Sequence, residues 1–371
     1  MSRLNVKDVA SRYGGFWNYE VKDFCYMTNR YFPPQGMFDS LGLRLKELVS
    51  SYPSTNGHIS SLAAEPLGLT HEQVVVANGA SELITAIASR FVEHLAVAVP
   101  TFDEFVNRAV IEGKRVSPYQ LDGDFELDVP AFVRHVQDTH ANAALVINPN
   151  NPSGKLVSRQ EVLHLLESLR HLDLVLVDES FLDFSSQGLS PSVMDAIFEF
   201  PNLVILKSLS KAYGIPGLRL GYAVSGKEEV VAELRSAIPI WSINSLAQAF
   251  LEELEAYRSE FVESCELVRQ ATDALFAGLQ TVPYLHPYAS EGNYVLSRVV
   301  GGSTGSDLTA RLFDECNILI NDCGGKSGLD GQYVRMASRT KEENAELIDA
   351  LLSLSSGMAG EEARLGRRAE K

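Results

Sequence analysis

Six short apolar runs mark the first two-thirds of the 371-residue chain: Val74–Ala77, Leu95–Val99, Ala144–Ile147, Leu174–Val177, Leu203–Leu206 and Leu220–Val224. Each is continuously apolar rather than alternating, the pattern of a strand covered on both faces. Stretches of helical length and amphipathic pattern lie among them: Glu82–Phe91, Phe102–Ile111, Arg159–Leu169 and Lys227–Ala237. Strands that alternate with helices predict an α/β fold, a three-layer α/β/α domain around a mostly parallel sheet. In such a sheet ligands bind beyond the carboxyl ends of the strands.

From about Leu251 a longer helical stretch runs through Val262, Val268 and Leu275. Beyond it, Gly292–Leu296, Ile318–Ile320 and Tyr333–Ala337 read as strands and Lys341–Leu354 as a helix. The organisation expected is a large domain over residues 49–250, a smaller α+β domain from residues 1–48 and 251–356, and a mobile C-terminal tail over 357–371. No internal repeat or low-complexity segment is visible.

Composition narrows the partners. The formal charge is −16 and hydrophobic residues make up 45%. An acidic surface argues against nucleic acid, although a local basic pocket remains open. No apolar run is long enough to span a bilayer, and the N-terminus lacks an apolar signal core. The four cysteines, Cys25, Cys265, Cys316 and Cys323, form no Cys-x-x-Cys pair. That spacing does not suit a zinc site, and reduced thiols fit a cytoplasmic enzyme.

The chemistry collects at strand ends. Asn78-Gly79-Ala80-Ser81-Glu82 joins a strand to a helix, where small residues and free N–H groups suit a phosphate. Alone it is also an ordinary turn. Pro100-Thr101-Phe102 offers an aromatic ring that could stack on a heterocycle or fill the core. Asn148-Pro149-Asn150-Asn151-Pro152-Ser153-Gly154 is a rigid turn that could present an Asn amide, or a polar loop. Asp178-Glu179-Ser180-Phe181 ends a strand with a carboxylate that could pair with a pyridine nitrogen or cap the next segment.

The fifth motif is Ser208-Leu209-Ser210-Lys211-Ala212-Tyr213-Gly214-Ile215-Pro216-Gly217-Leu218-Arg219. It combines an amine that can form a Schiff base with hydroxyls and a guanidinium that can hold a phosphate. Pyridoxal 5′-phosphate (PLP) needs this pairing of a covalent anchor with an anion site. A lone lysine after a strand would read as a surface residue. The five motifs together, in this order, are far more specific than any one.

From about Tyr52 to Leu354 the chain resembles the fold-type I PLP enzymes of the class I/II aminotransferase superfamily. Histidinol-phosphate aminotransferases and threonine-phosphate decarboxylases are the subgroups it is most similar to. The resemblance implies that Lys211 carries the cofactor and shuttles the proton at the α-carbon. Asp178 would be the pyridinium partner, Asn151 the donor to the ring hydroxyl, and Phe102 the stacked ring. Ala80, Ser81, Ser208, Ser210 and Arg219 would cradle the phosphate. Tyr52, in Ser51-Tyr52-Pro53, would reach the phosphate of a neighbouring subunit, which implies a homodimer with shared sites. Arg335, in Tyr333-Val334-Arg335-Met336, would fork the substrate carboxylate.

Three details lean toward the decarboxylases. Phe181 stands where most aminotransferases of the superfamily have Tyr, so Asn151 would be the sole side-chain donor to the ring oxygen. Pro239-Ile240-Trp241-Ser242-Ile243-Asn244 resembles the decarboxylase pattern. Arg339, four residues after Arg335, could bind a phosphate or phosphonate, or be a solvated arginine. The N-terminal His-Gly-Gly of both subgroups is replaced by Tyr13-Gly14-Gly15-Phe16-Trp17. The expected activity is amino transfer on an L-amino acid with an anionic side chain. Decarboxylation is the alternative, and a non-catalytic PLP-binding domain the second.

Overall fold

The computed structural model describes Val6 and residues 14–354. Tyr13 and the tail from Gly357 to Lys371 lie outside the described residues.

Seven strands form the large sheet: β1 (Val74–Asn78), β2 (His94–Val99), β3 (Arg115–Gln120), β4 (Ala143–Ile147), β5 (Leu174–Asp178), β6 (Leu203–Ser208) and β7 (Leu220–Val224). Their order is β1-β7-β6-β5-β4-β2-β3. All neighbours are parallel except those of β7, which runs antiparallel to both β1 and β6. The apolar runs are continuous because each strand feeds two cores. Val175, Val177, Leu203 and Ile205 face one, with the helices Val129–Asp138 and Arg159–Ser168. Leu174, Leu176, Val204 and Leu206 face the other, with Ala80–Phe91 and Asp103–Ile111. The period-2 alternation that usually separates core from solvent here separates core from core.

Several elements lie outside the expected set, among them one strand and one helix of the large unit. Strand β3 is an added edge strand whose residues are exposed or half-buried and which contains Pro118. An edge tolerates both, because one row of backbone groups has no partner to lose. The helix Val129–Asp138 also lies outside the expected set; Asp128 caps it by accepting from the Ala131 N–H, and Pro130 sits in its first turn.

The smaller sheet has the order Asn321–Asp322, Tyr333–Ala337, Tyr294–Val299, Leu285–Pro287, all antiparallel. Helices Arg258–Leu279, Gly305–Cys316 and 341–354 share a core with it through Leu275, Leu279, Leu308, Leu312, Leu347 and Leu351. The described residues of the segment 1–48, expected with this smaller domain, contact both units. Lys22–Asp23 pairs in parallel with Ile318–Leu319. Phe32, Met37, Leu41 and Leu48 instead pack into the core of the large sheet. The chain between them crosses the carboxyl edge of β6, where Asn29 N–H donates to the Lys211 carbonyl at 2.9 Å.

Candidate active site

Register brings four motifs to one edge. Asp178, the last residue of β5, lies opposite Ile147 of β4 and Leu206 of β6. The Asn148–Gly154 turn therefore leaves β4 on one side of it, and the Ser208–Lys211 turn leaves β6 on the other. Ser208 faces Gly221 of β7, and Ala77 of β1 faces Gly221 from the opposite side. Because β7 is antiparallel, its first residues sit where the other strands end. Arg219, just before β7, thus arrives at the carboxyl edge, with a left-handed φ of 59°.

The anion cradle is built around missing side chains. Gly79 has φ 78° and precedes the helix Ala80–Phe91. A Cβ on it would collide with the Arg219 guanidinium. A Cβ on Gly221 would stand 2.6 Å from the Ala80 nitrogen. Glycine is needed at both positions so that guanidinium, helix N-terminus and strand can close on one point. The Ser210 hydroxyl is buried and, among the described residues, has no hydrogen-bond partner. An unpartnered buried hydroxyl costs stability, so a ligand that engages it is favoured. Together, glycine cradle, orphaned hydroxyl and guanidinium fit the phosphate of PLP.

Acid and amine are tuned against each other. Burial pushes the Asp178 carboxyl up to about 6, while two Ser180 hydrogen bonds and the Lys211 ammonium pull it down. The Lys211 amine is lowered to about 8 by burial, then by Arg335 and Arg219, with Asp178 and Asp23 opposing. An amine that loses its proton near neutral pH can serve as nucleophile and as proton carrier. An acid with a bound pyridine nitrogen beside it would keep that nitrogen protonated.

Arg335 is 7% exposed on its strand. Its Nη1 donates to Asn151 Oδ1, and its Nη2 donates to the Cys25 carbonyl at 2.9 Å. Using the Asn151 oxygen in this way turns the amide's N–H₂ toward other acceptors. Tyr294 supports the same corner. Its hydroxyl donates to the Asn150 carbonyl at 2.6 Å, and its ring lies 5.0 Å from Phe181 and 5.6 Å from the Arg335 guanidinium. Phe181 is buried and apolar, so Asn151 has no phenol beside it from that position.

Phe102 is 38% exposed and caps the helix Asp103–Ile111, which leaves ring surface open rather than buried in the core. Tyr52 is 78% exposed, and its ring lies tilted against that of Trp241 with the centroids 4.4 Å apart. The Arg339 guanidinium is already engaged: Nη1 donates to the Asp23 carbonyl and Nη2 to Glu343 Oε1, each at 2.6 Å.

Three supporting residues were not read from the sequence. Asn29 Nδ2 donates to the Ala212 carbonyl and to Ser264 Oγ, and no local signal ties it to a turn 183 residues away. Tyr294 sits in a quoted strand without a visible role. Ser180 lies inside the Asp-Glu-Ser motif, where a short polar residue two after a strand-end acid is a legible sign of a local hydrogen bond.

Comparison with known proteins identifies the family. The family of class I and II aminotransferases matches residues 39–351. A CMP-5′-(3-aminopropyl)phosphonate synthase of Streptomyces rubellomurinus is 36% identical over 96% of this chain, which spans 57% of that relative's length. An L-serine phosphate decarboxylase of Campylobacter jejuni is 28% identical, over 89% of this chain and 87% of the relative. The solved structure of a histidinol-phosphate aminotransferase from Clostridium acetobutylicum superposes with a TM-score of 0.84 at 24% identity, over 91% of this chain and all of that one, a likeness of fold. The chain belongs to the class I and II aminotransferase family, whose enzymes use PLP.

Proposed function

We propose that this protein decarboxylates an L-amino acid whose side chain ends in a phosphate or phosphonate. One observation carries the reading. Arg335 and Arg339 bond the carbonyls of Cys25 and Asp23, two residues apart where the strand Lys22–Asp23 gives way to a bend. Two guanidiniums spaced along one segment suit a substrate with two anionic ends. The names of the aminopropylphosphonate synthase and the serine phosphate decarboxylase among the relatives support both the anion and the loss of carbon dioxide.

PLP, when bound, supplies an electron sink for the bond that breaks at the α-carbon. The rest is work for the chain's own residues. Lys211 Nζ would hold the cofactor and carry a proton at the α-carbon. Asp178 would keep the ring nitrogen protonated. The Asn151 amide would donate to the ring oxygen, with Arg335 fixing its orientation, and Phe102 would cover a ring face. Ala80, Ser81, Ser208, Ser210 and Arg219 hold the phosphate. Arg335 takes the α-carboxylate. Arg339 takes the distal anion, for which Glu343 is the resident counter-ion.

The assembly we propose is a homodimer in which Tyr52 reaches the other subunit's phosphate. Tyr52 and Trp241 lie with exposed Ile240 on one surface, and Ser245 Oγ donates to the Ser51 carbonyl beside them. Exposed aromatic and aliphatic side chains in one place mark a surface for burial against a partner. A cytoplasmic location fits four free cysteines.

A single turnover with O-phospho-L-serine, O-phospho-L-threonine and their unphosphorylated parents tests the reaction. Carbon dioxide release without pyridoxamine phosphate, and only from the phosphorylated substrates, is expected. Stoichiometric pyridoxamine phosphate with a 2-oxo acid would overturn decarboxylation. Amino transfer is the second reading, supported by a histidinol-phosphate aminotransferase among the relatives, 28% identical over 92% of this chain.

A further inference from the structure

We infer that Ser180 is a positioning residue that ties the Asp178 carboxylate to the turn bearing Lys211, so that the acid and the amine of the site are held as one unit. The inference rests on the reading of Asp178 as the ring-nitrogen partner.

Ser180 is 4% exposed. Its N–H donates to Asp178 Oδ1 at 2.9 Å, and its hydroxyl donates to the same oxygen. A hydroxyl has one proton to give and can still accept. The Ser180 oxygen accepts from the Ser208 N–H at 2.8 Å. Ser208 closes β6 and precedes the four-residue helix Leu209–Ala212 that carries Lys211. The result is a relay of bonds: Ser208 N–H to Ser180 hydroxyl to Asp178 carboxylate. The backbone on either side is pinned too, since Asn148 N–H donates to the Asp178 carbonyl and Glu179 N–H to the Leu206 carbonyl.

The geometry gives Ser180 two effects. A charge-assisted bond to Oδ1 favours the ionised acid in a buried setting that otherwise disfavours it. The bond from Ser208 fixes the start of the Lys211 turn relative to that acid. Alanine at position 180 removes both, and it leaves the Ser208 N–H without this acceptor. The charged or titratable groups that face Asp178 besides Ser180 are the Lys211 amine and, through its field, the Tyr294 phenol. Substitution at position 180 removes neither side chain, although the turn that carries Lys211 loses its tie to the acid.

The test is the protonation midpoint of the Asp178 carboxyl in cofactor-free protein. It is followed by the carboxylic-acid infrared band, with Asp178→Asn as the blank. Ser180→Ala is expected to raise the midpoint by about 1 pH unit, the loss of one charge-assisted bond. Ser180→Thr, which keeps the hydroxyl, is expected to restore it. In the holoenzyme the acid limb of kcat/KM should move by the same amount, with KM above that limb unchanged. A midpoint that moves by less than about a third of a unit, with only thermal stability lost, overturns the inference and leaves a structural staple. Should Ser180→Ala fail to fold, Ser180→Cys replaces the hydroxyl by a weak donor and must shift the midpoint in the same direction. If Asp178 is not the ring partner, Asp178→Asn leaves the cofactor spectrum unchanged while the Ser180 effect on the carboxyl persists. The two failures are therefore distinguishable.

Discussion

Replacing Asp178 by asparagine should trade function for stability. The carboxyl is held at about 6 in the fold, against an ordinary 3.8. The neutral acid is therefore the form the fold prefers. Below pH 3.8 the acid is protonated whether folded or unfolded, and it costs nothing. As pH rises from 3.8 to 6 the unfolded chain ionises first, and the penalty on the fold grows; above 6 it is complete. A rise of about 2 pH units at 1.36 kcal/mol per unit gives a penalty of about 3 kcal/mol at pH 7. Asparagine keeps the shape and an acceptor for Ser180, but its amide N–H₂ needs partners of its own, a cost of about 1 kcal/mol. The cofactor-free variant should thus be more stable than the parent by about 2 kcal/mol at pH 7 and no more stable at pH 4. Urea midpoints at the two pH values measure this. Turnover of the loaded variant should fall by at least about a hundredfold, because the ring nitrogen loses its acid. A stability difference that is the same at pH 4 and pH 7 would refute the burial argument.

Other outcomes follow from neighbouring features. Lys207 and Asp183 form an ion pair at 2.9 Å with side chains 8% and 4% exposed. Lys207→Met should cost about 3–5 kcal/mol by stranding the acid, and adding Asp183→Leu should recover most of it; urea midpoints of both variants decide. Gly214 has φ 62°, and a Cβ there would collide with the Asn29 and Phe32 carbonyls. Gly214→Ala should lower thermal stability by about 1–3 kcal/mol and expose the segment through Asn29 to protease; unchanged cleavage contradicts this. Tyr52→Ala and Lys211→Ala should each be inactive. Mixed and allowed to re-pair at random, they should regain about a quarter of the parent's activity, since half the dimers then hold one intact site. No recovery would mean that Tyr52 serves its own subunit.

The large sheet was legible because continuous apolar runs have few alternatives, and the motifs at their ends then fell on one edge. The direction of β7 was not legible, since Leu220–Val224 reads the same either way. Yet that reversal is what delivers Arg219 to the site. Strand β3 was lost because its polar, Pro-containing sequence is viable only at an edge. Asp128 with Pro130 is a legible helix start. Lys211, Asp178 and Asn151 were visible as residue types at or just beyond strand ends, and Arg335 as an arginine within an apolar strand. Their coupling was not. The bond from Arg335 to Asn151 joins residues 184 apart, and the Ser180 relay depends on β5 and β6 lying side by side.

The central claim is that Lys211, and no other amine, carries the cofactor. Borohydride reduction of the PLP-saturated protein, digestion and mass spectrometry test it directly. The account predicts a single pyridoxyl-labelled peptide, modified at Lys211. Label on Lys207, four residues earlier on β6, or on a surface lysine in place of Lys211, would contradict it.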